Sequence, residues 1–391
     1  MARDFKLIDL FAGAGGMSEG FEQAGFTALA ANDFDTHSAN TFRLNHPHVN
    51  FIDGAIESIS NEQFLGAAGI ECGELDVLIG GPPCQAFSVY NHQRGMHDER
   101  SGLFREYLRI VEGLLPKFVV MENVTGITSV ADGVAVQEIY SALGTLGYHV
   151  EHRILKAEEF GVPQERRRIF FVGALAQNQI VWPEPICQQS TAVNELWSEK
   201  LPSCVSVWDA IGDLPELAIM QGEEEAEYAG TPIGEFQKQM RKGTGKLFNH
   251  VAPYLAPINL ERLKHIPQGG SWRDIPTSLL PAGMKLAKRS DHTKRYGRLR
   301  PDGLASTILT KCDIHWGAFI HPTQERGLTV REAARLQSFP DKIRFTGPRS
   351  EQFRQVGNAV PPLLAKAIAE SLGKMLSSKR RTSSPRLLHA V

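Results

Sequence analysis

The chain lacks most of the signatures that would assign it quickly. Five of its 391 residues are cysteine: Cys72, Cys84, Cys187, Cys204 and Cys312. None forms a C-x-x-C pair and no cysteine–histidine spacing fits a zinc template, so no metal is expected. The odd count argues against a disulfide framework and for reduced thiols. No apolar run approaches the ~20 residues of a membrane-crossing helix. The opening "MARDFKLIDLF" passes straight into a strand-like run rather than a secretory leader. No membrane partner is expected, and the cytoplasm is the default location. No internal repeat stands out. Neither sign of charge dominates: 42 Lys+Arg face 44 Asp+Glu, a formal net charge of −2. That balance argues against a protein that coats nucleic acid indiscriminately, but charge can be local. "KLAKRSDHTKRYGRLR" (285–300) carries seven Lys/Arg against one Asp. Its interleaved His and Tyr suit a surface that tracks phosphates, although a basic run can equally be a solvated face.

What is present is an alternation of apolar strands and helical segments over residues 1–180. "FKLIDLF" (5–11), "FTALAAND", "LDVLIG" (75–80) and "KFVVMENV" (117–124) read as buried strands. Between the last two, Leu103, Tyr107, Ile110, Val111 and Leu114 fall on one helical face. "HVEHRILKA" and "RRIFFVGAL" read as a closing pair of strands. The expected fold is a doubly wound, mostly parallel α/β sheet. From "VWPEPICQQS" the pattern fails, and residues 181–325 read as a second, smaller, irregular domain. Regularity returns over 326–376, with a helix capped by Thr329 and another opened by prolines in "VPPLLAKAIAESLGKML". The Ser- and Arg-rich stretch 377–391 reads as a disordered basic tail.

Several short stretches carry chemistry. "DLFAGAGG" (9–16) places a glycine-rich turn between the first strand and the first helix, where backbone can approach a ligand. It fails the dinucleotide fingerprint, because the sixth position is Ser18. In "NDFD" (32–35), Asp33 and Phe34 offer a sugar acceptor and a stacking face; alternatively Asp33 caps the next helix. "GGPPCQAFS" (80–88) holds Cys84 in a stiff loop at a strand's carboxyl end. A thiolate there would add to an electron-poor carbon; the plainer reading is an inert free cysteine. Glu122 ends the next strand on the same edge, where partial burial would raise its pKa and let it hold a proton. In "QERRRIFFVG" (164–173), Arg166 and Arg168 fall on one side of a strand, fit to bind phosphate or steady a carboxylate, with Arg167 facing away.

The ordered set "DLFAGAGG", "GGPPCQAFS", "MENV", "QERRRIFFVG", "TVREAARLQSFPD" and "QVGNAVPP" resembles the cytosine-5 DNA methyltransferase family of bacterial restriction–modification type. The resemblance covers nearly all of 5–180 and 326–372. It implies a Rossmann-like, S-adenosylmethionine-dependent methyltransferase sheet, with 181–325 as the target-recognition domain. The cofactor, leaving as S-adenosylhomocysteine, would lie on Phe11, Ala12, Gly13, Gly15 and Gly16. Asp33 would take its ribose and Phe34 its adenine, with Ile56, Pro82, Asn358 and Ala359 completing the site. Cys84 would be the nucleophile and Glu122 would bind the cytosine N3/N4 edge, supported by Asn123, Gln164, Arg166 and Arg168. Double-stranded DNA would be the partner, its cytosine flipped out so that Cys84 reaches C6. The polar segment 88–102 would close over it. Gln85, Ser88, Arg100, Lys294, Arg295 and Arg298 would be the DNA contacts. A nucleoid-associated monomer, sharing its site with a cognate restriction endonuclease, is the implied setting. One departure shows: where the family often has Gly-Asp-Ile, this chain has Gly54-Ala55-Ile56, and Asp53 or backbone would have to replace the missing carboxylate. Three rivals remain: a cytosine-5 tRNA methyltransferase, a catalytically silent DNA-binding relative, and a nicotinamide oxidoreductase. A silent relative should have lost Cys84 or Glu122; an oxidoreductase would leave Cys84 unused.

Overall fold

A computed structural model describes residues 5–83, 102–175, 179–189, 201–288 and 290–382. Its first half alternates as the sequence predicts: β1 (Phe5–Leu10), α1 (Gly16–Gln23), β2 (Phe26–Asp33), α2 (Thr36–Asn45), β3 (Asn50–Asp53), α3 (Asn61–Ala68), β4 (Val77–Gly80), α4 (Gly102–Leu114), β5 (Phe118–Asn123), α5 (Val134–Thr145), β6 (Tyr148–Lys156), β7 (Gln164–Glu165) and β8 (Arg167–Leu175). Seven strands form one sheet in the order β3-β2-β1-β4-β5-β8-β6. Pairing is parallel from β3 through β5; β8 is antiparallel to both neighbours, β5 and β6. Strands covered on both faces read as unbroken apolar runs, and "VLIG" and the "FVVM" of β5 do so.

One face is covered by α1 and α2, with Phe21 and Phe42 in its core. The other is covered by α3, α4 and α5. On α4 the buried residues are Phe104, Tyr107, Ile110, Val111 and Leu114, so Phe104 takes the core position expected of Leu103, which is only half-buried. The chain order reverses between β1 and β4, which opens a crevice at their carboxyl ends.

The second half runs α6 (Val207–Ile211), β9 (Gly222–Glu227), α7 (Glu235–Arg241), β10 (Lys246–Val251), α8 (Pro257–Leu263), α9 (Ala282–Lys285), β11 (Ala305–Ser306), α10 (Val330–Leu336), α11 (Arg349–Asn358) and α12 (Pro362–Thr382). Its elements are short, as the scattered Pro and Gly predict. One apolar core crosses residue 325, joining Val207, Phe236 and Leu247 to Val330, Leu336 and Phe339. A smaller cluster gathers Leu263, Trp272, Tyr296 and Ile320. The acidic "GEEEAE" is the strand β9, antiparallel to β10, an element the sequence reading did not place.

α12 returns to the first layer. A Cβ on Gly20 would lie 2.3 Å from the Pro362 carbonyl oxygen and 2.6 Å from the Ala365 Cβ, so only glycine allows this approach. The helix continues through Thr382, which corrects the expected disorder from residue 377. Residues 383–391 lie outside the described set.

Candidate active site

The carboxyl ends of β1, β2, β4 and β5 converge on the crevice. After β1 the chain turns through Phe11 (φ 57°), Gly13 (φ 57°) and Gly15 (φ 84°). The Ala12 N–H donates to the Asn32 carbonyl at 2.9 Å, and the Gly13 N–H donates to Asp33 Oδ2 at 2.8 Å. Nothing lies within 4 Å of a Cβ placed on Gly13, so this turn faces open space. Gly15 and Gly16 are constrained by the protein instead. A Cβ on Gly15 would meet His46 Nε2 at 2.7 Å, and one on Gly16 the Val360 carbonyl oxygen at 2.5 Å.

Asp33 does not cap α2. Asp35 does, accepting from the Ser38 N–H at 2.8 Å. Asp33 instead receives the Gly13 and Asp35 N–H groups, and burial raises its pKa. Beside it the Phe34 ring is 69% exposed, an unusual state for a large aromatic at a sheet edge. Ile56 is placed otherwise than expected: at 2% exposure it belongs to the core below the crevice and supports its wall. Asp53 is exposed and paired with Arg43, two residues before the exposed Ala55.

After β4, Gly80 and Gly81 are needed for intramolecular approach. A Cβ on Gly80 would lie 2.8 Å from the Leu10 carbonyl oxygen and from the Tyr107 ring; one on Gly81 would lie 3.1 Å from Glu122 Oε2. Asn123, buried, donates from Nδ2 to the carbonyl of the buried Pro82 at 3.1 Å and accepts the Val124 N–H at 2.8 Å. The loop that leads into Cys84 is therefore stiff for two reasons: its prolines, and this amide clamp. Cys84, Gln85, Ser88, Arg100 and the rest of 84–101 lie outside the described residues.

Glu122, at the end of β5, pairs through Oε1 with Arg168 Nε at 2.8 Å. Burial raises its pKa; the Arg168 and Arg166 guanidiniums pull the other way. The carboxyl group can thus hold a proton while remaining oriented by a cation.

The two other residues expected beside it act one layer back. Arg166 is fully buried and donates to the carbonyls of Ile308 (3.3 Å), Gly357 (3.0 Å) and Ala359 (3.0 Å). Its Nε has no partner among the described residues, and burial lowers its pKa to about 9. Gln164 donates to the Leu336 carbonyl at 3.0 Å and accepts the Ile308 N–H at 3.0 Å. Gln337, which the sequence reading did not single out, continues this chain to the Val356 carbonyl at 2.8 Å. Together they hold "QVGNAV" against the glycine turn, with Asn358 exposed. Arg354, also unforeseen, pairs with Asp35 at 2.6 Å and fixes α11 to the start of α2.

Beside Arg168 opens a cavity of about 800 Å³, lined among others by Thr125, Glu165, Arg168, Lys294 and Thr307. Lys294 reaches Glu165 at 3.1 Å, so the basic run does border the site. Arg295 stacks on Trp316, 5.0 Å from the ring centre. Arg298 corrects the expectation. It is buried, donating to the carbonyls of Leu263, Ile266, His321 and Gln324 and to the Glu325 carboxylate. A guanidinium so engaged is unavailable to a phosphate.

The chain is similar to known proteins over nearly its whole length. A family model described as C-5 cytosine-specific DNA methylase matches residues 5–374. The chain is 34% identical to the type II methyltransferase M.AgeI of Thalassovita gelatinovora, over 95% of this chain and 100% of that protein. It is 37% identical to M1.HphI of Haemophilus parahaemolyticus, over 94% and 86% respectively. Among solved structures, a putative DNA modification methyltransferase encoded within an E. coli prophage superposes with a TM-score of 0.73 at 27% identity, covering 95% of this chain and 99% of that one.

Proposed function

The chain belongs to the C-5 cytosine-specific DNA methylase family and is a DNA (cytosine-5)-methyltransferase, and we propose that it methylates a flipped cytosine in duplex DNA through a covalent Cys84–C6 adduct. The observation that carries this reading is the Glu122–Arg168 pair beneath the clamped Gly81-Pro82-Pro83 segment, one residue before Cys84.

S-adenosylmethionine fits the crevice. The open space over Gly13 suits a methionine-like chain, Asp33 a ribose, and the bare Phe34 ring an adenine. Phe11, Ala12, Gly15 and Gly16 shape the turn, Pro82 forms the neighbouring edge, and Asn358 and Ala359 approach from the far end of the chain. When bound, this cosubstrate supplies a methyl group on a sulfonium. The Cys84 thiolate adds to C6 of the cytosine, which moves electron density to C5. Glu122, holding its proton toward N3, stabilises the charge that develops there. C5 takes the methyl group and S-adenosylhomocysteine is left; the C5 proton passes to water as the C6–sulfur bond breaks, which restores the ring, frees the Cys84 thiolate and leaves the N3 proton with Glu122. Arg168 keeps the carboxyl group oriented throughout.

Residues 181–325 serve as the target-recognition region. The protein acts as a monomer on DNA, and the naming of its relatives as type II methyltransferases supports a role beside a restriction endonuclease of the same site. No helix among the described residues is long and apolar enough to cross a membrane.

The test uses duplex DNA carrying 5-fluorocytosine, with S-adenosylmethionine. Fluorine cannot leave as the C5 proton does, so elimination stalls. A denaturant-stable adduct mapping to Cys84 is expected. An adduct that forms only on substituted tRNA moves the enzyme to RNA, and none on either overturns the nucleophile.

A further inference from the structure

Trp316 is 54% exposed, yet its loop is firmly held. The Tyr296 N–H donates to the Ile314 carbonyl at 2.7 Å, the Trp316 N–H to the Asp313 carbonyl at 2.9 Å, and the Gly297 N–H to the Gly317 carbonyl at 3.2 Å. A rigid backbone thus presents a large flat ring to water. The Arg295 guanidinium lies 5.0 Å from its centre. Among the described residues, the other rings carrying a stacked guanidinium are Phe51, Trp182, Tyr228, Phe248 and Tyr296. Each of those is buried or half-buried. Only at Trp316 is the stack offered outward.

Its position is specific. Lys294, adjacent to Arg295, is tied to Glu165 and lines the cavity that Arg168 also lines. Arg168 in turn holds Glu122. In the other direction along the loop, Leu309 packs on Gly357, next to Asn358. The loop that carries the ring thus connects two segments that border the site; Lys311 is exposed in it, and the Asp313 carboxylate is paired with His315. A ligand that matches an exposed indole and a stacked guanidinium combines a π face with a negative charge on one unit. A nucleotide is such a unit.

We propose that Trp316 and Arg295 form a stacking platform for a nucleotide of the DNA strand beside the target cytosine, with the base on the indole and the phosphate on the guanidinium. This rests on the reading of the site as a DNA methyltransferase. The base laid on the indole must leave the duplex stack, at a cost of a few kcal/mol, and the face would accept any base, because every base has a π face.

The experiment titrates wild type, Trp316→Phe, Trp316→Ala and Arg295→Ala with unmethylated double-stranded DNA of mixed sequence, following tryptophan emission. Methyl transfer is measured in parallel at varied DNA and varied S-adenosylmethionine. DNA should quench a component of emission that is missing in Trp316→Phe. Trp316→Ala should raise the KM for DNA about tenfold or more and leave the KM for S-adenosylmethionine unchanged. Trp316→Phe should keep most of the affinity, and Arg295→Ala should flatten the salt dependence of binding. An undiminished quench in Trp316→Phe, or a wild-type KM for DNA in Trp316→Ala, overturns the platform. If Trp316→Ala fails to fold, the emission difference in Trp316→Phe decides. A wild type that neither binds nor methylates DNA overturns the underlying reading instead, and that arm is read separately.

Discussion

Glu122 carries two opposed influences: burial that favours its neutral form and two guanidiniums that favour its charged form. If the protonated form is the working one, kcat declines as pH rises through this raised pKa. Glu122→Gln should remove that limb of the profile and lower kcat by about 10²–10⁴-fold, the usual worth of a positioned acid. DNA affinity should stay within a few-fold, as single-turnover kinetics and direct binding would show. Asn123 was expected at the site for its place in "MENV", but its role was not legible: an amide that clamps the carbonyl of Pro82 is visible only once β4 and β5 are neighbours. The same holds for Arg166 and Arg298. A run of arginines reads as phosphate-binding, yet both guanidiniums are spent on carbonyls, those of Arg166 142 to 193 residues away. Local pattern contains no trace of such partners.

At the scale of elements, the buried strands of the first 180 residues were legible, because such strands are short apolar runs with turn residues after them; β9 and β10, with an acidic and largely exposed β9, were not. So was α10, where Thr329 accepts the Glu332 N–H in a capping box. Thr329→Val should cost about 1 kcal/mol of stability in denaturant unfolding. The junction of β1 and α1 is less obvious. Ser18 Oγ donates to Asp9 Oδ2 at 2.6 Å, and burial pushes the Asp9 pKa up to about 7. The ordinary value is 3.8, so the folded state binds this proton more tightly than the unfolded chain. The associated stability is complete below the unfolded pKa and is lost as pH climbs through the folded one. Asp9→Asn should therefore flatten the stability profile between about pH 4 and pH 7, by as much as ~4 kcal/mol. Glycines offer a paired contrast. Gly20→Ala drives a methyl into α12 and should destabilise by about 1–3 kcal/mol or more. Gly66→Ala, on α3 with nothing within 4 Å of the new atom, should be neutral or stabilising by up to about 1 kcal/mol.

At the scale of the whole molecule, buried ion pairs hold the second half to the returning segment. Arg335 donates to both oxygens of Asp341 at 2.6 Å each and to Asp213 at 2.9 Å, all without solvent access. Arg326 is paired in the same bidentate way with Glu332. Arg335→Met should cost about 1.5–3 kcal/mol, because it removes charge-assisted hydrogen bonds from two buried carboxylates that keep other partners, Asp213 with Arg241 and Asp341 with Arg331 and the Tyr228 hydroxyl. Calorimetry should show the loss. The sequence reading divided the chain at 325, where the motifs resume, but packing does not divide there: α10 is buried on every side and joins both parts. Periodicity reports only which face of a helix is apolar, and a helix with Arg331, Glu332 and Arg335 inside the core defeats that test.

The seating of α12 and of Val360 on α1 has a bearing on how the protein is made. The layer beside the glycine turn is finished late in the chain: Phe339, Ala359 and Val360 abut Gly16, and Pro362 and Ala365 abut Gly20. A nascent chain can therefore complete its central strands early yet possess no finished crevice. Crevice assembly should therefore wait on the segment that carries Val360 and α12, however early the strands themselves pair.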